Sequence, residues 1–275
     1  MSQLRHRLES RGLSPNKRFG QNFLINEDVL AGIVAAAGIE PTDTVLEIGP
    51  GTGALTKRLA EKAAGVVAVE IDRGLAGMLE EDLKDDESVK IVCGDILKTD
   101  LSSLLSDSAP VKVVANLPYY ITTPILLELL PNERLFKSFV IMIQKEVADR
   151  MSAEPGNKDY GALSLMIQYY GEPRIVMDVA PSAFYPAPDV TSSVVRIDRY
   201  EVPPVEAEDP DKMFALIRAA FGKRRKTFVN AVSSDPQLNL SPDAIRNALE
   251  TMGLDVSVRG ERLSLADFAR LSGLL

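Results

Sequence analysis

From residue 44 onward the chain alternates short apolar runs with longer stretches of mixed apolar and polar residues. The runs are Thr44–Ile48, Val66–Glu70, Val89–Val92, Val111–Ala115 and Ser138–Ile143. They are rich in Val and Ile and nearly unbroken by polar positions, the pattern of strands covered by helices on both faces. Ala54–Ala63 and Asp72–Lys84, lying between them, have helical composition. A first helix is predicted from Asn26, an N-cap followed by Glu27 and Asp28, to Gly38, whose glycine suits a C-terminal stop. The alternation predicts an α/β, doubly wound sheet.

The pattern changes after Ile197. Asp198–Asp211 carries Pro203, Pro204 and Pro210 and six acids against one arginine, which reads as a surface linker. Beyond it Met213–Phe221, Lys223–Val232, Pro242–Met252 and Leu265–Leu271 have helical periodicity. The expected division is therefore residues 1–203, with a basic N-terminal arm, and a small all-helical domain at 204–275.

Composition narrows the chemistry. The 275 residues hold one cysteine, Cys93, and one histidine, His6, so disulfide frameworks and multi-Cys or multi-His metal sites are excluded and no metal is expected. No apolar run reaches the roughly 18 residues of a membrane span, and Met1–Arg11 lacks the apolar core of a secretory signal. A cytoplasmic monomer without a membrane partner is the expectation.

The first candidate site follows the strand Thr44–Ile48, where Glu47-Ile48-Gly49-Pro50-Gly51-Thr52-Gly53 leads into a helix. Glycines at 49, 51 and 53 let the backbone turn sharply and approach a ligand. The third glycine comes one residue too early for the dinucleotide fingerprint, which argues against NAD and for a loop around S-adenosylmethionine. Glu70 closes the second strand, where a carboxylate can accept from ribose hydroxyls, and Asp95 follows the third, where it can accept from an adenine amino group. Taken singly, each of these is as readily a tight turn or a solvated acid. Together they define one crevice.

The second candidate site is Asn116-Leu117-Pro118-Tyr119, after the fourth strand. The Asn116 side-chain oxygen and the Leu117 carbonyl could hold the two protons of an exocyclic base amine. Tyr119 offers a face on which an extruded base can stack.

These motifs stand in order with Lys17-Arg18-Phe19-Gly20-Gln21-Asn22-Phe23-Leu24, Phe184-Tyr185-Pro186-Ala187-Pro188 and Phe221-Gly222-Lys223-Arg224-Arg225-Lys226-Thr227. The series resembles the KsgA (RsmA) family of small-subunit ribosomal RNA adenine dimethyltransferases over roughly residues 17 to 271. The resemblance implies a Rossmann-like S-adenosylmethionine-dependent methyltransferase domain with the helical domain contributing to RNA binding. It implies cofactor contacts at Asn22, Leu24, Glu47, Gly49, Gly51, Glu70, Asp95 and Asn116. It also implies catalysis by Asn116, Leu117, Tyr119 and Phe184, with Phe184 as a second aromatic wall. Read from its neighbours alone, Phe184 is a core residue.

The substrate implied is a pair of adjacent adenosines in the 3′-terminal hairpin loop of 16S rRNA, within the immature 30S subunit. The alternatives are an Erm-type methylase of 23S rRNA and a small-subunit assembly factor whose binding role is separable from methylation. A net charge of −8 requires RNA to meet a local basic patch. Residues 212–234 carry six basic residues and no acid, Lys223, Arg224, Arg225 and Lys226 among them. Through Arg18 the N-terminal arm sets five basic residues against Glu9 and is a second candidate path.

Overall fold

The computed structural model describes residues 2–16, 19–108, 110–223 and 225–275. Two compact units form: residues 1–148 with 173–199, and residues 149–172 with 200–275.

The first unit is built on a seven-stranded sheet. Its strands are β2 (Thr44–Ile48), β3 (Gly65–Glu70), β4 (Val89–Cys93), β5 (Val111–Asn116), β6 (Phe136–Gln144), β7 (Gly171–Val179) and β9 (Ser192–Arg199). Their order across the sheet is β4-β3-β2-β5-β6-β9-β7, with β4, β3, β2, β5 and β6 parallel and β9 antiparallel to β6. The strand order reverses direction at β2 and β5, so their carboxyl ends flank the crevice where ligands bind in such sheets. The five strands expected from sequence are present, and the sheet adds two more.

Helix α2 (Glu27–Ala37) starts at Asn26, whose side chain accepts from the Val29 amide, and ends at Gly38 in the left-handed conformation. Its Leu30 and Ile33 pack with Val45, Val114 and Val140 of the sheet and with Leu55 and Leu59 of α3 (Ala54–Ala60). Helix α4 (Arg73–Asp82) is capped by Asp72, whose carboxylate accepts from the Gly74 and Leu75 amides. A separate two-stranded ribbon pairs β1 (Phe23–Leu24) with β8 (Phe184–Tyr185).

A helix is also absent from the sequence expectation. Helix α1 (Ser2–Glu9) forms ahead of α2, where only a polar basic arm is expected. Leu8, 1% exposed, docks it on Phe23, Leu75 and Met78.

The second unit is helical: α8 (Ala162–Tyr170), α9 (Pro210–Gly222), α10 (Phe228–Val232), α11 (Pro242–Thr251) and α12 (Leu265–Leu274). Its core joins Met213, Ile217, Phe228, Leu249 and Phe268 to Tyr160, Leu165 and Tyr169. That packing draws residues 149–172 into this unit, although composition places them with the sheet. The Lys223–Val232 helix is shorter than expected. Thr227 caps α10 by accepting from the Asn230 amide, so Lys223, Arg225 and Lys226 fall on the preceding connection. Among the described residues no helix is long and apolar enough to cross a membrane.

Candidate functional site

The carboxyl ends of β2, β3 and β5 open on a solvent-exposed cleft. Asn22, Gly49, Gly51, Glu70, Asn116, Leu117 and Tyr119 line it together. A second cleft shares Gly49, Ile71 and Pro118 with the first and adds Asp95. Eight of the expected site residues thus meet in one composite crevice.

The loop after β2 needs its glycines. Gly49, Gly51 and Gly53 adopt φ of 67°, 59° and 77°, a region that side chains with a Cβ rarely enter. A Cβ on Gly53 would stand 2.5 Å from Leu79, and one on Gly51 would stand 3.1 Å from Phe23. At Gly49 nothing of the protein lies within 4 Å of that position, so the backbone there faces open space.

Glu70 ties the loop to the third strand. Its Oε2 accepts from the Gly51 amide at 3.0 Å and its Oε1 from the Asp72 amide at 2.9 Å. The residue is 4% exposed, and burial raises its carboxyl pKa even against those two amides. Each oxygen keeps accepting capacity for a ligand hydroxyl. Glu47, 1% exposed, lies beneath the loop and does not line the crevice. Burial, with the charge of Glu70 adding to it, pushes its carboxyl up to about 8 against the lowering effect of Thr56. Among the described residues, its Oε2 and the Thr56 Oγ1 are buried without a hydrogen-bond partner. Asp95 is half-buried. Its Oδ1 accepts from the Leu97 amide at 3.1 Å, and Lys98 stands 3.6 Å from its Oδ2.

Across the crevice, the Asn116 Nδ2 donates to the Asn22 carbonyl at 3.1 Å, which fixes the carboxamide plane. Among the described residues no donor reaches the Asn116 Oδ1 or the Leu117 carbonyl. The Pro118 carbonyl, by contrast, is occupied by the Ile121 amide at 3.1 Å and the Thr122 hydroxyl at 3.2 Å. The turn therefore leaves two acceptors on consecutive residues without a donor among the described residues. The Tyr119 hydroxyl meets the Ser192 hydroxyl at 2.8 Å, and burial raises its pKa.

Besides Glu47, two expected residues stand outside the crevice. Phe184 is 2% exposed and Leu24 7%, and they pair across the β1–β8 ribbon inside the sheet core. Phe184 is not among the residues lining the crevice, whose aromatic lining is Tyr119 with Phe19, Phe23 and Tyr120. The core position matches what the neighbours of Phe184 indicate by themselves.

Gln21 and Ile71 line the crevice but were not singled out. Gln21 donates to Asp72 at 3.1 Å, and Ile71 is 40% exposed. The available signal for Ile71 was an apolar residue directly after the strand-end acid.

Lys223, Arg225 and Lys226 are exposed, and Lys223 donates to the Ser234 hydroxyl at 2.7 Å. Arg224, Lys17 and Arg18 lie outside the described residues. The N-terminal arginines are engaged within the protein. Arg5 pairs with Glu9 at 2.7 Å, and Arg7 and Arg11 both pair with Asp82.

A family model described as Ribosomal RNA adenine dimethylase matches residues 12–274. A protein named Ribosomal RNA small subunit methyltransferase A, from Alkaliphilus metalliredigens, is 50% identical over 260 residues, covering 94% of this chain and 90% of that one. The protein of the same name from Moorella thermoacetica is 46% identical, covering 98% of this chain and 95% of its own. Among solved structures, a dimethyladenosine transferase from Plasmodium falciparum superposes with a TM-score of 0.75 at 27% identity, covering 90% of this chain and 95% of that chain. The 23S rRNA methyltransferase ErmE superposes with a TM-score of 0.70 at 25% identity, covering 92% and 99%.

Proposed function

This chain belongs to the ribosomal RNA adenine dimethylase family, and on that footing we propose that it dimethylates the N6 of two adjacent adenosines in the 3′-terminal hairpin loop of 16S rRNA. It is an S-adenosylmethionine-dependent rRNA adenine dimethyltransferase. The observation that carries the reading is the pair of open acceptors, Asn116 Oδ1 and the Leu117 carbonyl, in the same crevice as the glycine loop and Glu70.

The residues present fit the cofactor. Gly49 faces open space, Glu70 places a buried carboxyl with accepting capacity at the crevice wall, and among the described residues Glu47 Oε2 has no hydrogen-bond partner under the loop. Asn22, Gly49, Gly51, Glu70, Asp95 and Asn116 would hold it, with Glu70 taking the ribose hydroxyls and Asp95 the adenine amine, while Glu47 and Leu24 would support the loop and the ribbon behind them. The cofactor supplies a methyl group made electrophilic by its sulfonium.

The chain's own residues orient the nucleophile. Asn116 Oδ1 and the Leu117 carbonyl accept the two N–H bonds of the adenine amine, turning its lone pair toward the methyl group. Tyr119 stacks on the extruded base, held by Ser192 at its hydroxyl. No strong base is required, because the cationic product amine gives its proton to water. Positioning and electrostatics carry the rate. After the first transfer only one N–H remains, so one acceptor must release its donor and make room for a methyl group.

The particle bound is the immature 30S subunit, and the chain acts as a cytoplasmic monomer without a metal. Lys223, Arg224, Arg225 and Lys226 supply phosphate contacts from the helical unit. The small-subunit reading is preferred over a 23S one because relatives at 46–50% identity carry the small-subunit name, against 25% for ErmE.

The test supplies purified unmethylated small and large subunits with labelled methyl donor and maps the product by mass spectrometry. The expected result is N6,N6-dimethyladenosine at two adjacent positions of small-subunit RNA, lost in Asn116→Ala. Label in large-subunit RNA, or none in either, overturns the proposal.

A further inference from the structure

Helix α1 touches the glycine loop directly. The Arg7 guanidinium donates from Nη1 to the Thr52 carbonyl at 3.1 Å and from Nη2 to Asp82 at the end of α4. Thr52 lies between Gly51 and Gly53, so this bond grips the loop in its middle. Thr52 is 5% exposed, and a buried carbonyl without a donor is costly. The rigid fork of an arginine suits it to bridging two acceptors, one neutral and one anionic.

A second path reaches the same loop through apolar contact. Leu8 packs with Phe23, Leu75 and Met78, and the Phe23 ring is the atom group that a Cβ on Gly51 would meet. Arg11 strengthens the dock without touching the loop. It pairs with Asp82 at 2.5 Å and reaches Glu81 at 3.8 Å. Arg11 and Arg7 together hold the Asp82 carboxyl at about 2. All of these contacts come from helix α1 and the turn after it, ahead of residue 12, where the family match begins.

We propose that Arg7 is a positioning residue for the cofactor loop: by donating to the Thr52 carbonyl while anchored on Asp82, it holds Gly49–Gly53 in the conformation that receives the methyl donor. Helix α1 is thereby part of the binding apparatus without lining the crevice. The inference rests on reading that crevice as the cofactor site.

The test titrates S-adenosylmethionine and S-adenosylhomocysteine into the full chain by calorimetry, well below its melting temperature. Wild type is compared with Arg7→Ala, Arg7→Lys, Arg11→Ala and Arg5→Ala, and the melting temperature of each ligand-free protein is recorded. Arg7→Ala is expected to weaken both ligands about three- to thirtyfold, the range of a contact that acts through another element. Arg7→Lys keeps a charge beside Asp82 but lacks the second nitrogen of the fork. It should hold the melting temperature and still lose affinity. Arg11→Ala gives up the same partner and should lower the melting temperature, with dissociation constants within about twofold of wild type, as should Arg5→Ala.

Wild-type affinity in Arg7→Ala would overturn the proposal. So would an Arg11→Ala loss equal to that of Arg7→Ala, because docking alone would then be the cause. A wild-type chain that binds neither ligand would instead overturn the crevice reading, and this inference with it.

Discussion

At the scale of single residues, Glu47 shows how burial sets a charge state. It sits 1% exposed on β2, with Glu70 adding like charge from β3 and Thr56 facing it from α3. Its carboxyl is lifted from 4.5 to about 8, so the folded state holds a proton that the unfolded chain releases. Folding stability from this group is therefore greatest below pH 4.5 and falls as pH rises toward 8. Glu47→Gln keeps the shape and removes the charge. It should raise stability near pH 8 by about 2 kcal/mol and flatten the dependence of melting temperature on pH over that window. The same change should leave affinity for the methyl donor within about twofold of wild type at pH 7, because a Glu47 that holds its proton carries no charge beneath the loop. Melting curves from pH 5 to pH 8 and one calorimetric titration check both halves. A melting profile parallel to wild type would show that Glu47 keeps its ordinary charge.

At the scale of elements, the end of the sheet opposite the crevice is tied by a buried carboxylate. Asp43, just before β2, accepts from Lys112 of β5 at 2.7 Å, from Lys137 of β6 and from the Glu40 amide at 2.7 Å. Burial by itself would raise its carboxyl. The two lysines and the amide outweigh that and hold it at about 2, below the ordinary 3.8. Its contribution is complete above pH 3.8 and is lost as pH falls toward about 2. Asp43→Ala strands Lys112, whose side chain is 12% exposed, and should destabilise the fold by about 3 kcal/mol at neutral pH. Chemical denaturation at pH 7 and at pH 2.5 checks this: the gap between variant and wild type should narrow at the lower pH.

This tie was not visible beforehand, because it joins residues 69 and 94 positions away that only the parallel register brings together. Local signals fared differently. Asn26 and Gly38 bracket α2 as expected, since caps are local chemistry. Helix α1 escaped notice because its eight residues offer Leu4 and Leu8 alone as an apolar face, and docking on Phe23 and Met78 stabilises it. The glycine loop, Glu70 and the Asn116 turn were legible because strand ends place them by spacing. The core position of Phe184 was legible from its neighbours, but its pairing with Leu24 was not, because a two-residue ribbon carries no local pattern.

At the scale of the whole molecule, a chain of net charge −8 has to engage a polyanion. The N-terminal arm is poorly suited to it, since Arg5, Arg7 and Arg11 are matched by Glu9 and Asp82. The connection between α9 and α10 is better placed: Arg225 and Lys226 are exposed there, and residues 212–234 contain no acid. Such a turn meets phosphates through charge and carries no base code, which suits recognition of a folded RNA by shape. Each phosphate contact releases counterions, so its loss has a signature distinct from loss of fold. Changing Arg225 and Lys226 together to Ala should lower the slope of log affinity against log salt for the small subunit by roughly 0.7–0.9 per lost contact. Affinity should fall most at low salt, while the methyl donor binds within about twofold of wild type. A binding titration of both proteins from low to moderate salt reads this directly. Parallel lines would mean that the turn is merely solvated, and that the RNA follows another surface.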